Sequence, residues 1–188
     1  MSQSYHVKRM SEIAILVSLA IVIQVIMQPF FTMPQGGSVT VAMLPLVILA
    51  YRHGLVSGIA SGLIFGLLNW ILSGMPQWGW WSFIVDYQLA FGAFGLSAIV
   101  FALNRNSMVV FLSGVVFAGL LRFLAHYLSG LLLFGEFAPE GVHPAWYSFT
   151  YNISYMGPTI VLSVIIGAFI WQRMKAILTD NLLNEDLF

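Results

Sequence analysis

Six apolar stretches, at residues 10–31, 39–51, 55–72, 81–103, 108–134 and 147–171, take up most of this 188-residue chain. Four of them are long enough to cross a hydrocarbon layer of about 30 Å as helices, and a fifth is close to it. The second stretch is short and falls well below that length, so it starts or ends below the membrane surface. The glycines and serine before it, Gly36, Gly37 and Ser38, and Pro45 within it mark residues 33–38 as a loop that dips inward. Such backbone must be covered by protein or line a cavity. With 60% hydrophobic and only 7% charged residues and a mean hydropathy of +0.91, a water-soluble domain could not hide this surface. The expected fold is an all-α integral membrane protein with six transmembrane helices in one domain, residues 1–188. Residues 1–9 form a cytoplasmic N-terminal segment and 176–188 a cytoplasmic tail. The first stretch is too long for a signal-peptide core, so it is expected to remain as a mature helix.

Placing both termini in the cytoplasm puts Lys8, Arg9, Arg52, Arg105, Arg173 and Lys175 on the inner side. The opposite loops, 30–38, 74–80 and 135–146, contain no Lys or Arg, as the positive-inside rule requires. His53 and His143 fall in loops and are expected to be solvated, as are Glu136 and Glu140. The chain has no cysteine and zero formal net charge. That excludes disulfides and thiolate chemistry, and it leaves no basic footprint for nucleic acid. Zinc, P-loop and serine-elbow motifs are absent from the sequence, so no metal, no cofactor and no catalytic residue is expected.

Three ionisable residues lie inside the apolar stretches: Asp86, Arg122 and His126. Such groups are costly at membrane depth and usually serve function. Arg122, His126, Gly130 and Phe134 recur every four residues, which on a helix makes one stripe. Asp86 and Tyr87 lie about one turn below an interface marked by Trp78, Trp80 and Trp81, and Tyr147 and Asn152 fall at a similar depth on the last helix. A carboxylate, an imidazole, an amide and several rings suit a flat, nitrogen-rich, cationic ligand. Competing readings give these residues structural roles. Asp86 and Arg122 would pair with each other, His126 would be a hydrogen-bonded structural histidine, and Tyr151 and Tyr155 would be packing residues. Gly54, Gly58, Gly62 and Gly66 form a strip for close helix approach within the monomer. Ala14 and Ser18 on the first helix have small-xxx-small spacing, which suits packing or docking onto a partner.

The Asp-Tyr pair at 86–87, the Arg-x-x-x-His-x-x-x-Gly stripe at 122–130, the Tyr-x-x-x-x-Asn pair at 147–152 and the glycine-rich run over 36–71 carry a family resemblance. The chain resembles the thiamine-specific substrate-binding (S) subunits of energy-coupling factor (ECF) transporters over most of its length. The resemblance implies a multi-pass protein of the bacterial cytoplasmic membrane that binds thiamine from outside. It would associate with a transmembrane coupling subunit and two ATPase subunits. The substrate contacts would fall on Asp86, Tyr87, His126, Gly130, Phe134, Tyr147 and Asn152, and the docking motif on Ala14 and Ser18. Some relatives carry tryptophans where this chain has Phe134 and Pro139, so ring stacking on the ligand would be weaker here or supplied by Trp146 or Trp78. Some also carry Glu at the position of Asp86. Alternative readings are an S subunit for another ligand, such as hydroxymethylpyrimidine or riboflavin, an intramembrane enzyme using His126 and Asp86, and a purely structural subunit.

Overall fold

The computed structural model describes residues 3–34, 36–74 and 79–178. Helix α1 spans Gln3–Phe31. The helical run Met43–Leu72 is broken at Gly54, whose φ of 77° and ψ of −171° lie outside the helical region, so it comprises α2 (residues 43–53) and α3 (residues 55–72). Helix α4 covers Gly79–Phe101, α5 Met108–Leu132 and α6 Pro144–Leu178. By length and composition five of the continuous helical runs could cross a membrane, with α2 and α3 counted together. The six expected segments are therefore present, with ends shifted by a few residues. The N-terminal segment expected over residues 1–9 is helical from Gln3 onward. α6 reaches Leu178, and the rest of the expected tail lies outside the described residues.

The loop before α2 turns back on itself. An antiparallel bridge joins Thr32 to Ser38, and Gly36 and Gly37 adopt φ of 96° and 81°, which L side chains rarely do. The loop is tied inward, as expected. Gln24 Nε2 donates to Ser38 Oγ at 3.1 Å, Tyr151 donates its hydroxyl to Gly36 O at 2.8 Å, and Thr40 N–H donates to Thr159 Oγ1 at 3.3 Å.

The glycine strip on α3 packs within the monomer. A Cβ at Gly62 would stand 2.2 Å from Phe91 O, one at Gly66 2.6 Å from Tyr87 O, and one at Gly58 2.8 Å from the Gly95 Cα. Only hydrogen at these positions lets the backbones of α3 and α4 meet. The contact fixes α4 where it departs from regular geometry, because residues Phe83–Leu89 form a π-helical turn. π-turns of this kind are often found at functional sites.

The end of the bundle near Gly54 is filled. Tyr51 meets Phe101, Phe111 and Trp171 edge-on, with ring centroids 5.0, 5.4 and 5.9 Å away. Beside this plug, Glu12 of α1 accepts from Arg52 Nε and Nη2, both at 2.9 Å, and lies 2.8 Å from His53 Nε2. Arg52 also donates to Ile177 O. The expectation of a solvated His53 is therefore corrected: Arg52 and His53 are 6% and 5% exposed. The short α2 ends just before Gly54, and its terminal side chains turn inward onto the acid of α1. His143 is exposed, and so are Glu136 and Glu140.

Candidate functional site

The opposite end of the bundle is hollow. A cavity of about 370 Å³ opens between the loop at 33–38 and α1, α3, α4, α5 and α6. Its size lies in the usual range of about 300–1,000 Å³ for small-molecule sites. Asp86, Tyr87, His126, Gly130, Phe134, Tyr147 and Asn152 all line it. So does Arg122, which with His126 and Gly130 forms the stripe on α5; Phe134, expected on the same helix, lies two residues beyond its end at Leu132 and reaches the cavity from the loop.

At its centre the polar groups form one chain. Arg122 Nε donates to His126 Nε2 at 3.2 Å, and His126 Nδ1 lies 3.1 Å from Asp86 Oδ1. Arginine has donors and no acceptor, so Nε2 accepts and Nδ1 carries the proton given to Asp86. The other carboxylate oxygen, Oδ2, accepts from Ser82 and Ser129, each at 2.7 Å. The guanidinium of Arg122 lies over the Phe91 ring at 4.7 Å. Asp86 and Arg122 are thus linked through the imidazole, and this three-residue chain stands in place of the direct pair that the competing reading supposed. Both ring nitrogens of His126 are engaged.

Asn152 is only 4% exposed. Its Nδ2 donates to Ser148 O at 2.8 Å and lies 3.3 Å from both His126 O and Ser148 Oγ, while Oδ1 accepts from Tyr155 at 2.6 Å. Much of its hydrogen-bonding capacity therefore ties α6 to α5. Gly130 has a matching reason: a Cβ there would stand 2.3 Å from Ser148 Oγ. The stripe needs glycine at this turn so that α6 can seat its serine and amide against α5.

The family model described as thiamine transporter protein (Thia_YuaJ) matches residues 10–179. The chain belongs to the thiamine transporter protein family. It is 33% identical over 191 residues to a Bacillus subtilis protein named thiamine transporter ThiT, covering 96% of this chain and 99% of that protein. A Lacticaseibacillus paracasei protein of the same name is 30% identical over 173 residues, covering 83% of each chain. The solved structure of ThiT from Listeria monocytogenes superposes with a TM-score of 0.77, over 92% of this chain and 98% of that one, at 22% identity. That likeness establishes a shared fold. The chain is a multi-pass bacterial membrane protein of a family of transporters, not enzymes.

In this family member the rings around the cavity are those of Tyr87, Phe91, Phe134, Phe137, Tyr147, Tyr151 and Tyr155. Tyr151 and Tyr155, expected as packing residues, both pack and line the cavity. The expectation is corrected for Trp146. Trp146 is 63% exposed and stacks on Phe149 with centroids 5.8 Å apart, away from the cavity, because its position on α6 faces outward. Trp80 and Trp81 are exposed, as interface anchors are, and Trp78 lies outside the described residues. Pro139 is not among the lining residues, whereas Phe137 is.

Several lining residues went unread in the sequence. Gln24 and Gln28 of α1, with Thr32 just beyond its end, repeat every four residues and bring that helix into the wall, as Asn69 of α3 and its C-cap Ser73 do. Their polarity at regular spacing in apolar helices was the available signal. Ser82, four residues before Asp86, and Ser129, three after His126, were legible only as small polar residues. Ala14 and Ser18 are exposed on the outer face of α1.

Proposed function

We propose that this chain is the thiamine-binding membrane subunit of an uptake system, holding the vitamin in the cavity at the hollow end. The observation that carries the reading is the Asp86–His126 pair, held at 3.1 Å inside a cavity walled by aromatic rings. A carboxylate accepts hydrogen bonds from an aminopyrimidine, and rings attract the thiazolium cation. Asp86 and Arg122 carry opposite formal charges, so this pair offers no excess negative charge to a cation. The ring faces of Phe134, Tyr147 and Tyr151 do that work. His126 meets the ligand through its ring face or by exchanging Arg122 for the ligand at Nε2, and Tyr87, Gly130 and Asn152 complete the contact set. The names of the Bacillus and Lacticaseibacillus relatives support thiamine as the ligand.

In this reading both termini are cytoplasmic and the cavity opens outward, since the loops at that end lack Lys and Arg. A transmembrane coupling subunit docks on the face of α1 bearing Ala14 and Ser18, and two ATPase subunits supply the energy. The exposure of those two small side chains supports a docking face.

Equilibrium binding of thiamine, hydroxymethylpyrimidine and riboflavin to the purified chain tests the assignment. Thiamine is expected to bind most tightly; preference for either of the others would move the chain to a different vitamin or precursor.

A further inference from the structure

The Asp86 carboxylate is gripped from two helices. Ser82, one turn earlier on α4, and Ser129 of α5 each place a hydroxyl 2.7 Å from Oδ2. Both serines are buried, at 4% and 1% exposure. A carboxylate has about four lone-pair positions, two on each oxygen. The two serines fill those of Oδ2, and His126 Nδ1 takes one on Oδ1 at 3.1 Å. One acceptor position is left, on Oδ1.

Nothing in plain helix packing requires this arrangement. A single hydroxyl would satisfy a buried oxygen. Two hydroxyls on Oδ2 and an imidazole on Oδ1 instead fix the plane of the carboxylate, because each bond constrains a different edge. Ser129 and His126 are three residues apart on the same face of α5, so one helix holds both oxygens. The wide π-turn over Phe83–Leu89 lies between Ser82 and the rest of α4 and carries Asp86 into that grip.

We infer that Ser82 and Ser129 are positioning residues that saturate Asp86 Oδ2 and leave Oδ1 as a single oriented acceptor, making the site selective for a ligand that offers one N–H donor there. This rests on the thiamine reading, in which the donor is the amino group of the pyrimidine. An analogue with oxygen in place of that amino group presents an acceptor to an acceptor and is rejected. The serines act through Asp86 and touch no ligand atom in this account.

The test compares two ligands, thiamine and the analogue with oxygen at the amino position, on the full chain in detergent. The unsubstituted protein is expected to favour thiamine by about a hundredfold, the scale of a charge-assisted hydrogen bond made against one forbidden. Ser129→Ala and, separately, Ser82→Ala each reduce that preference about tenfold or more by weakening thiamine, while affinity for the analogue stays the same. Ser129→Thr, which keeps the hydroxyl, restores the preference. Unchanged analogue binding also reports that each variant is folded, and Ser82→Ala carries the test if Ser129→Ala does not fold. Retention of the full preference in both alanine variants would overturn the inference, as would an equal loss of both ligands, which marks a merely structural role. An unsubstituted chain that binds no thiamine would overturn the thiamine reading itself and this inference with it.

Discussion

Arg122 and His126, one turn apart on α5, are joined by a hydrogen bond from Nε to Nε2 at 3.2 Å. Because the guanidinium can only donate, this contact decides the imidazole tautomer and turns Nδ1–H toward Asp86. The arginine therefore acts on the carboxylate at one remove. It orients the histidine, and it places a positive charge behind the ring without occupying the acid.

Nitrogen-15 NMR of the selectively labelled imidazole reads that tautomer directly. We expect a protonated Nδ1 and an unprotonated Nε2 for His126, and a change in this pattern in Arg122→Leu, where Nε2 loses its donor. A proton on Nε2 in the unsubstituted protein would contradict the assigned network.

Asp86→Asn keeps the shape of the side chain but removes its charge and places donors where acceptors stood. It faces three donors, from Ser82, Ser129 and His126, and one of them must turn away. Thiamine affinity is expected to fall by about 1–3 kcal/mol, as for a lost charge-assisted hydrogen bond. A titration with unchanged affinity would remove Asp86 from the contact set.

Gly62→Ala tests the packing that holds α4. Its Cβ would meet the Phe91 carbonyl at 2.2 Å, and a backbone atom cannot rotate aside. Overpacking of this kind costs about 1–3 kcal/mol, so thermal unfolding in detergent should move to lower temperature. Thiamine binding should weaken as well, because Asp86 and Tyr87 ride on the displaced helix. A variant of unaltered stability would show that the two helices are not in contact through this strip.

Glu12 and Arg52 join α1 to the junction of α2 and α3, with both arginine nitrogens at 2.9 Å. Removing Glu12 leaves the buried Arg52 without its counter-ion, whereas removing Arg52 leaves Glu12 with His53 alone. The double-mutant cycle of Glu12→Gln and Arg52→Leu is expected to show a coupling of about 1–3 kcal/mol in unfolding free energy. Additive effects would mean that the pair contributes no more than its separate packing.

The helices were legible because an apolar run of membrane-crossing length leaves few alternatives, and the cavity was legible where residues repeat on one helical face. Arg122, His126 and Gly130 are such a set, and they line the cavity together with Phe134, which lies just past the helix end. Contacts between distant segments were not legible. His53 sits beside a loop in the sequence, and its burial depends on Glu12, 41 residues away. Ser82 and Ser129 could each have been packing residues, since serine is small enough to fit any helix contact, and only the position of Asp86 between them gives their hydroxyls a task. The same holds for Trp146, whose ring could have faced either way until the rotation of α6 was known.

Calorimetric titration of the purified chain with thiamine asks whether the cavity holds the vitamin. Saturable binding of one thiamine per chain at sub-micromolar concentration is expected, lost or strongly weakened in His126→Ala. A folded protein that gives no heat of binding at any thiamine concentration, and whose competition assay likewise detects no thiamine, would contradict the thiamine reading.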